Sequence, residues 1–71
     1  MARADWSLYD ALSCASIAVL QAKDGNGVKA EEAWMEASIA GLAAFPDGSA
    51  EAAALSVVLA AVGERVRAVS A

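Results

Sequence analysis

The sequence predicts an all-α protein, a three-helix up-down-up bundle with helices over about residues 5–23, 28–45 and 49–69. Three observations support this fold class. Apolar residues near the end of the chain recur at steps of three and four, which keeps them on one side of a helix. The chain holds 20 alanines, the strongest helix former, and a single proline. Two short glycine-containing segments divide it into three parts.

The first helix is expected to begin near Asp5 or Ser7, either of which can cap its first turn. It is expected to end near Lys23, because the segment 24–27 reads Asp-Gly-Asn-Gly and these residues accept left-handed backbone angles. The second helix should stop at Phe45, since the following proline disfavours helical geometry in the residue before it. Ser49 is placed as the N-cap of the third helix.

Each helix carries an apolar seam that is expected to face the core. On the third helix the seam is Ala52, Leu55, Leu59, Val62, Val66 and Val69. On the second helix it is Val28, Met35, Ile39 and Leu42. On the first helix it is Leu8, Leu12, Ala15 and Val19. The whole chain, residues 1–71, is interpreted as one helical domain, which a dimer interface completes.

The net charge of −4 is unevenly distributed. No lysine or arginine lies between Ala30 and Glu64, and Glu31, Glu32 and Glu36 form the expected acidic surface of the second helix. A protein that binds phosphates needs a cationic face, so direct contact with nucleic acid or with an anionic membrane surface is not expected. No apolar run is long enough for a membrane span, and the lone Cys14 allows no internal disulfide, so a cytoplasmic location is expected.

The residues of a catalytic or metal site are not found in the sequence. The chain has no histidine, which removes the usual general base and the usual partner of a nucleophile. Glu32 and Glu36 lie one turn apart, as in carboxylate-bridged metal sites, but they are expected on a solvated face. Cys14 is interpreted as a small packing residue, because no basic residue lies near it in sequence. No cofactor, metal or enzymatic activity is therefore expected.

The remaining signal is an excess of apolar surface. The first helix has a second apolar stripe, too far around the helix from the first for one small core to cover both. The expected partner interface is Trp6, Tyr9, Ser13, Ile17, Leu20 and, on the second helix, Trp34. Tryptophan and tyrosine often dominate binding energy at such interfaces.

These observations favour a non-catalytic protein-protein interaction module that acts as a regulator or inhibitor of a larger protein. The expected partner is that larger protein, a second copy of the chain, or both. One alternative is an inhibitor from a phage or mobile element whose acidic face occupies a basic nucleic-acid-binding groove on a host enzyme. A second alternative is a small carrier-like protein or enzyme accessory subunit. Modification of Ser49 or Cys14 would support that second alternative.

Overall fold

The protein is an all-α bundle of three helices, as the sequence predicts. The computed structural model describes residues 3–70, with the side chains of residues 7–69. The helices are α1 (Arg3–Lys23), α2 (Gly27–Ala44) and α3 (Ala50–Ser70), within one or two residues of the predicted bounds. The two short connections fold them up, down and up.

The first connection reverses the chain over three residues. Gly25 has a φ of +80°, a left-handed conformation that suits glycine. The side chain of Asn26 then accepts a hydrogen bond of 3.2 Å from the backbone N–H of Lys29 and caps α2. The expected turn at the segment 24–27 is therefore present, and it makes α1 and α2 an antiparallel hairpin.

The second connection ends α2 at Ala44 and opens α3. Phe45 has extended backbone angles, as expected for a residue before proline. Gly48 has a φ of +83°. The hydroxyl of Ser49 accepts a hydrogen bond of 3.1 Å from the backbone N–H of Ala52, which confirms the predicted N-cap.

The interface between α1 and α2 consists of alanines. They recur at helical spacing on both helices and are at most 8% exposed: Ala11, Ala15, Ala18 and Ala22 on α1, and Ala30, Ala33, Ala37 and Ala44 on α2. Such small side chains let two helix axes approach closely, and the two helices stay in contact along their lengths.

The third helix packs mainly on α2, and residues of its C-terminal half also contact α1. There Val66, 2% exposed, closes a cluster with alanines of the other two helices, and Val62 and Val69 pack beside it. All six positions of the predicted α3 seam are buried or half-buried, so the structure agrees with that seam.

Trp34 fixes the contact between α2 and α3. Its indole Nε1 donates a hydrogen bond of 2.8 Å to the carbonyl oxygen of Leu59. The ring lies over Gly63, where an added Cβ would come within 2.8 Å of the ring atom Cζ2. The absence of a side chain at Gly63 therefore leaves the space that the tryptophan ring occupies.

The seam expected on α2 is wrong, because its four residues face outward. Val28, Met35, Ile39 and Leu42 are between 52% and 77% exposed. The alanines and Gly41 occupy the opposite side of the same helix and form its core face.

On α1 the expected seam is only partly correct: Ala15 is buried and Leu8 half-buried, whereas Leu12 and Val19 are exposed. On α1 and α2 the expected seams consist mostly of large apolar residues, whereas the close contact between these two helices is made by alanines.

The resulting molecule has a large surface for its mass. It measures 35 × 22 × 13 Å along its principal axes. It exposes 4805 Å², whereas a compact monomer of 7.2 kDa is expected to expose about 4,100 Å². A molecule this thin along its shortest axis has more surface for its mass than a compact one.

Candidate interaction surface

Two outward faces carry most of the exposed large apolar side chains. Eleven such side chains of the described part are at least a third exposed, five on α1, four on α2 and two on α3. Within that same part, Leu55 and Val66 are the only large residues among the buried apolar ones. Globular proteins usually show the reverse distribution, with large aliphatic residues inside.

We define the α1 outer face as Tyr9, Ser13, Ser16 and Leu20. At about 100° per residue these positions fall within an arc of about 60°, on the side of α1 opposite its buried alanines. Tyr9 is 65% exposed and Leu20 59% exposed. Tyr9, Ser13 and Leu20 belong to the interface expected from the sequence, and the structure brings them together on this face.

The other three expected interface residues lie elsewhere. Ile17 is 48% exposed but stands at the edge of the face, where it lines a groove between α1 and α2. The side chain of Trp6 lies outside the described residues. Trp34 is half-buried and bonded to α3, so it holds the chain's own helices together and we leave it out of the surface proposed below.

We define the α2 outer face as Val28, Met35, Ile39 and Leu42. These residues also fall within an arc of about 60°, so they form one continuous apolar stripe. This surface is not predicted from the sequence, because the four residues are expected in the core. The signal that could have found it is the run of small residues at positions 30, 33, 37, 41 and 44, which has the same helical spacing on the opposite side.

The acidic surface expected from the sequence adjoins the α2 outer face. Glu31, Glu32 and Glu36 are all exposed, and they flank the apolar stripe on its two sides. Lys29 is the only basic residue of α2. Across the described residues, no group of three or more acidic residues and cysteines is placed to hold a metal ion.

The groove between α1 and α2 contains the single cysteine. The Cys14 thiol donates a weak hydrogen bond to the Glu36 carboxylate, with 3.8 Å between Sγ and Oε2. Burial raises the pKa of this thiol, and the negative charges of Glu36 and Asp10 raise it further. A thiol in this setting stays protonated at neutral pH, which makes it a poor nucleophile.

Comparison with known proteins gives no relative. No protein-family model, curated protein or solved structure matches the chain. Within residues 3–70, no helix has both the length and the apolar character required to cross a membrane. The function must therefore be argued from the surface itself.

Proposed function

We propose that this protein is a small, non-catalytic interaction module that acts in the cytoplasm by binding a larger protein, as a regulator or inhibitor. One observation carries the proposal: most of the large apolar side chains of α1 and α2 lie on the outside, while alanines fill the contact between these two helices. Contiguous exposed apolar patches are typical of sites that bind other proteins. A stripe of aliphatic residues at helical spacing suits packing against a groove or another helix.

The α2 outer face is the surface we assign to the larger partner. Its stripe is wholly aliphatic apart from Met35, a flexible residue that adapts to irregular surfaces. The glutamates beside it favour a partner whose apolar groove has a basic rim, because complementary charge guides encounter and selects the partner. The proposed partner site is therefore apolar in its centre and lined with lysine or arginine.

The same charges support the alternative in which the basic groove is one that normally holds nucleic acid. The observation that favours it is the long cation-free segment between Ala30 and Glu64, which includes the whole acidic flank. In that case the protein acts as an inhibitor by occupying the groove. Binding would weaken strongly as salt rises, and nucleic acid would compete for the target.

The test is affinity capture from the native host with the wild-type chain and the triple variant M35Q/I39Q/L42Q. Glutamine keeps helix propensity while removing the apolar surface. We expect a partner that the wild type captures and the variant loses, and that binds again when both proteins are purified. The control V57Q/V58Q changes two exposed valines of α3 and should leave capture intact. Equal capture by the wild type and the triple variant would contradict the assignment of the α2 outer face.

A further inference from the structure

We propose that the α1 outer face binds a second copy of the chain, as a two-fold dimer in which the two α1 helices run antiparallel. This inference rests on the proposed function only in treating the exposed apolar residues as contact surface. It concerns a different helix and a different partner, so the two proposals can fail separately.

The order of residues on the α1 outer face fits antiparallel self-association. The face reads large, small, small, large: Tyr9, Ser13, Ser16, Leu20. In a two-fold antiparallel pair, positions whose numbers have the same sum lie at the same level. With a sum of 29, Tyr9 lies level with Leu20 of the second copy, and Ser13 lies level with Ser16. Each large side chain therefore meets a large apolar neighbour near the ends of the contact.

The centre of the face is built for close approach. Ser13 and Ser16 are small, which lets two helices come near each other at this point. The Ser16 hydroxyl already donates a hydrogen bond of 2.9 Å to the carbonyl oxygen of Leu12. Covering Ser16 would therefore leave its hydroxyl donor satisfied. Leu12 and Ile17, each 48% exposed, also fall level with one another in this register and flank the centre.

Charge selects the antiparallel orientation. Positions 5 and 23 hold aspartate and lysine, and they are 18 residues apart. That separation is about five full helical turns, so both positions lie along the same edge of the α1 outer face. In the antiparallel register, position 5 of one copy falls one residue away from the level of Lys23 of the other, and symmetry repeats the pair. A parallel arrangement would instead place Lys23 level with Lys23.

The α2 outer face does not offer such a match to a second copy. Its apolar stripe is flanked by Glu31, Glu32 and Glu36 against a single Lys29. Pairing two of these faces would bring carboxylates of like charge together, which opposes association. The second copy therefore belongs on α1.

The expected dimer is weak. A single pair of helices of this length covers less than the 1,200 Å² or so at which standard interfaces begin. We expect a dissociation constant on the order of 10 to 100 µM, the range of transient complexes.

The first experiment is sedimentation equilibrium between about 5 µM and 1 mM, a range that spans the expected constant. We expect the mass to rise from one chain to two. The variant L20Q should stay at the mass of one chain over this range. The matched control L42Q makes the same substitution on the α2 outer face and should dimerise like the wild type.

The second experiment is a charge exchange that tests the register. K23E alone and D5K alone should each dimerise about three- to tenfold more weakly at low salt, because each places like charges at both ends of the contact. An equimolar mixture of the two variants should form a heterodimer of near wild-type affinity, because both end pairs are then of opposite charge. Any loss of helix stability in one variant persists in the mixture, so this recovery reports on pairing alone.

Three results would overturn the proposal. A mass of one chain up to 1 mM would exclude the dimer while leaving the proposed binding of a larger protein untouched. Loss of the dimer in L42Q but not in L20Q would place the contact on α2. A mixture of K23E and D5K that associates no better than either variant alone would exclude the antiparallel register.

Discussion

The two sides of α2 are made of different apolar residues, and the difference concerns size rather than polarity. The inner side presents alanines and Gly41, which are buried or half-buried, whereas the outer side presents Val28, Met35, Ile39 and Leu42 to solvent. Burial of large aliphatic side chains stabilises most small domains. Here those side chains lie outside, so we interpret the inner side as the basis of folding and the outer side as the basis of contact.

The contact between α2 and α3 contains a large packed side chain, which the alanine contact between α1 and α2 does not. Trp34 is the one large side chain of α2 that reaches into another helix, with a hydrogen bond at Nε1 and a glycine beneath its ring. A core of alanines buries little area per residue. On the α2 side, Trp34 therefore contributes the largest side chain to the anchoring of α3, in addition to the buried seam of α3 itself.

The largest expected effect is that of Trp34→Ala. Removing a packed tryptophan costs about 3–5 kcal/mol, which is comparable to the whole stability of about 3–5 kcal/mol for a core of this size. We expect the variant to lose cooperative unfolding and dispersed amide NMR signals at 25 °C. A variant that unfolds cooperatively within 1 kcal/mol or so of the wild type would contradict the anchoring role.

The comparison between the two sides can be tested with one substitution at two sites of α2. Ala37 is wholly buried and Ala43 is exposed. Ala37→Leu should lower the free energy of unfolding by about 1–3 kcal/mol, since it forces the close helix contact apart. Ala43→Leu should change it by less than about 0.5 kcal/mol. Urea denaturation of both variants measures the difference, and equal effects would mean that α1 and α2 are not in close contact.

Gly41 and Gly63 both lie in the contact between α2 and α3, and substitutions there test that contact. Alanine favours a helix over glycine by about 1 kcal/mol, but a Cβ at Gly63 would meet the rigid ring of Trp34. At Gly41 it would meet only the mobile ends of leucine side chains. We expect Gly63→Ala to lower the free energy of unfolding by about 1–2 kcal/mol and Gly41→Ala to leave it unchanged or raised by about 0.5 kcal/mol. A stabilising Gly63→Ala would show that the indole does not occupy the space beside Gly63.

The smallest expected effect concerns the groove between α1 and α2. The pKa of Cys14 is raised by burial and by the nearby carboxylates, so the thiol ionises only at higher pH than in an unfolded chain. Iodoacetamide alkylation should therefore be slow at neutral pH and rise along a curve displaced to higher pH. Glu36→Gln removes one of the two raising charges and should move that curve towards lower pH. An unchanged curve would mean that Glu36 does not act on the thiol.

The helices and their connections could be predicted from the sequence. The side of the helix that faces inward could be predicted for α3 but not for α2. Turn residues such as Gly25 and caps such as Ser49 act locally, so their effect can be read from neighbouring residues. The inward face depends on how closely two helices approach, which is a property of the pair. On α3 the large residues and the inward face coincide, and the predicted seam agrees with the structure. On α2 they do not.

The candidate surface was predicted in part for the same reason. Tyr9, Ser13 and Leu20 share one outward face, as expected for a helix with more apolar residues than one core can cover. The α2 outer face was missed because its residues were assigned to the core, and Trp34 was assigned to the surface because its glycine counterpart lies 29 positions away. Such long-range pairing of a large with a small residue leaves no local pattern.

Whether the α2 outer face is needed for folding can be measured as the free energy of unfolding of M35Q/I39Q/L42Q. Urea denaturation is performed at a concentration below about 5 µM, where the dimer is expected to be dissociated. We expect a value within about 1 kcal/mol of the wild type, because these side chains are already exposed to water in the folded chain. A loss of about 3 kcal/mol or more would mean that the α2 outer face belongs to the core of the single chain. Such a loss would contradict the interpretation that the α2 outer face serves to bind another protein rather than to stabilise the fold.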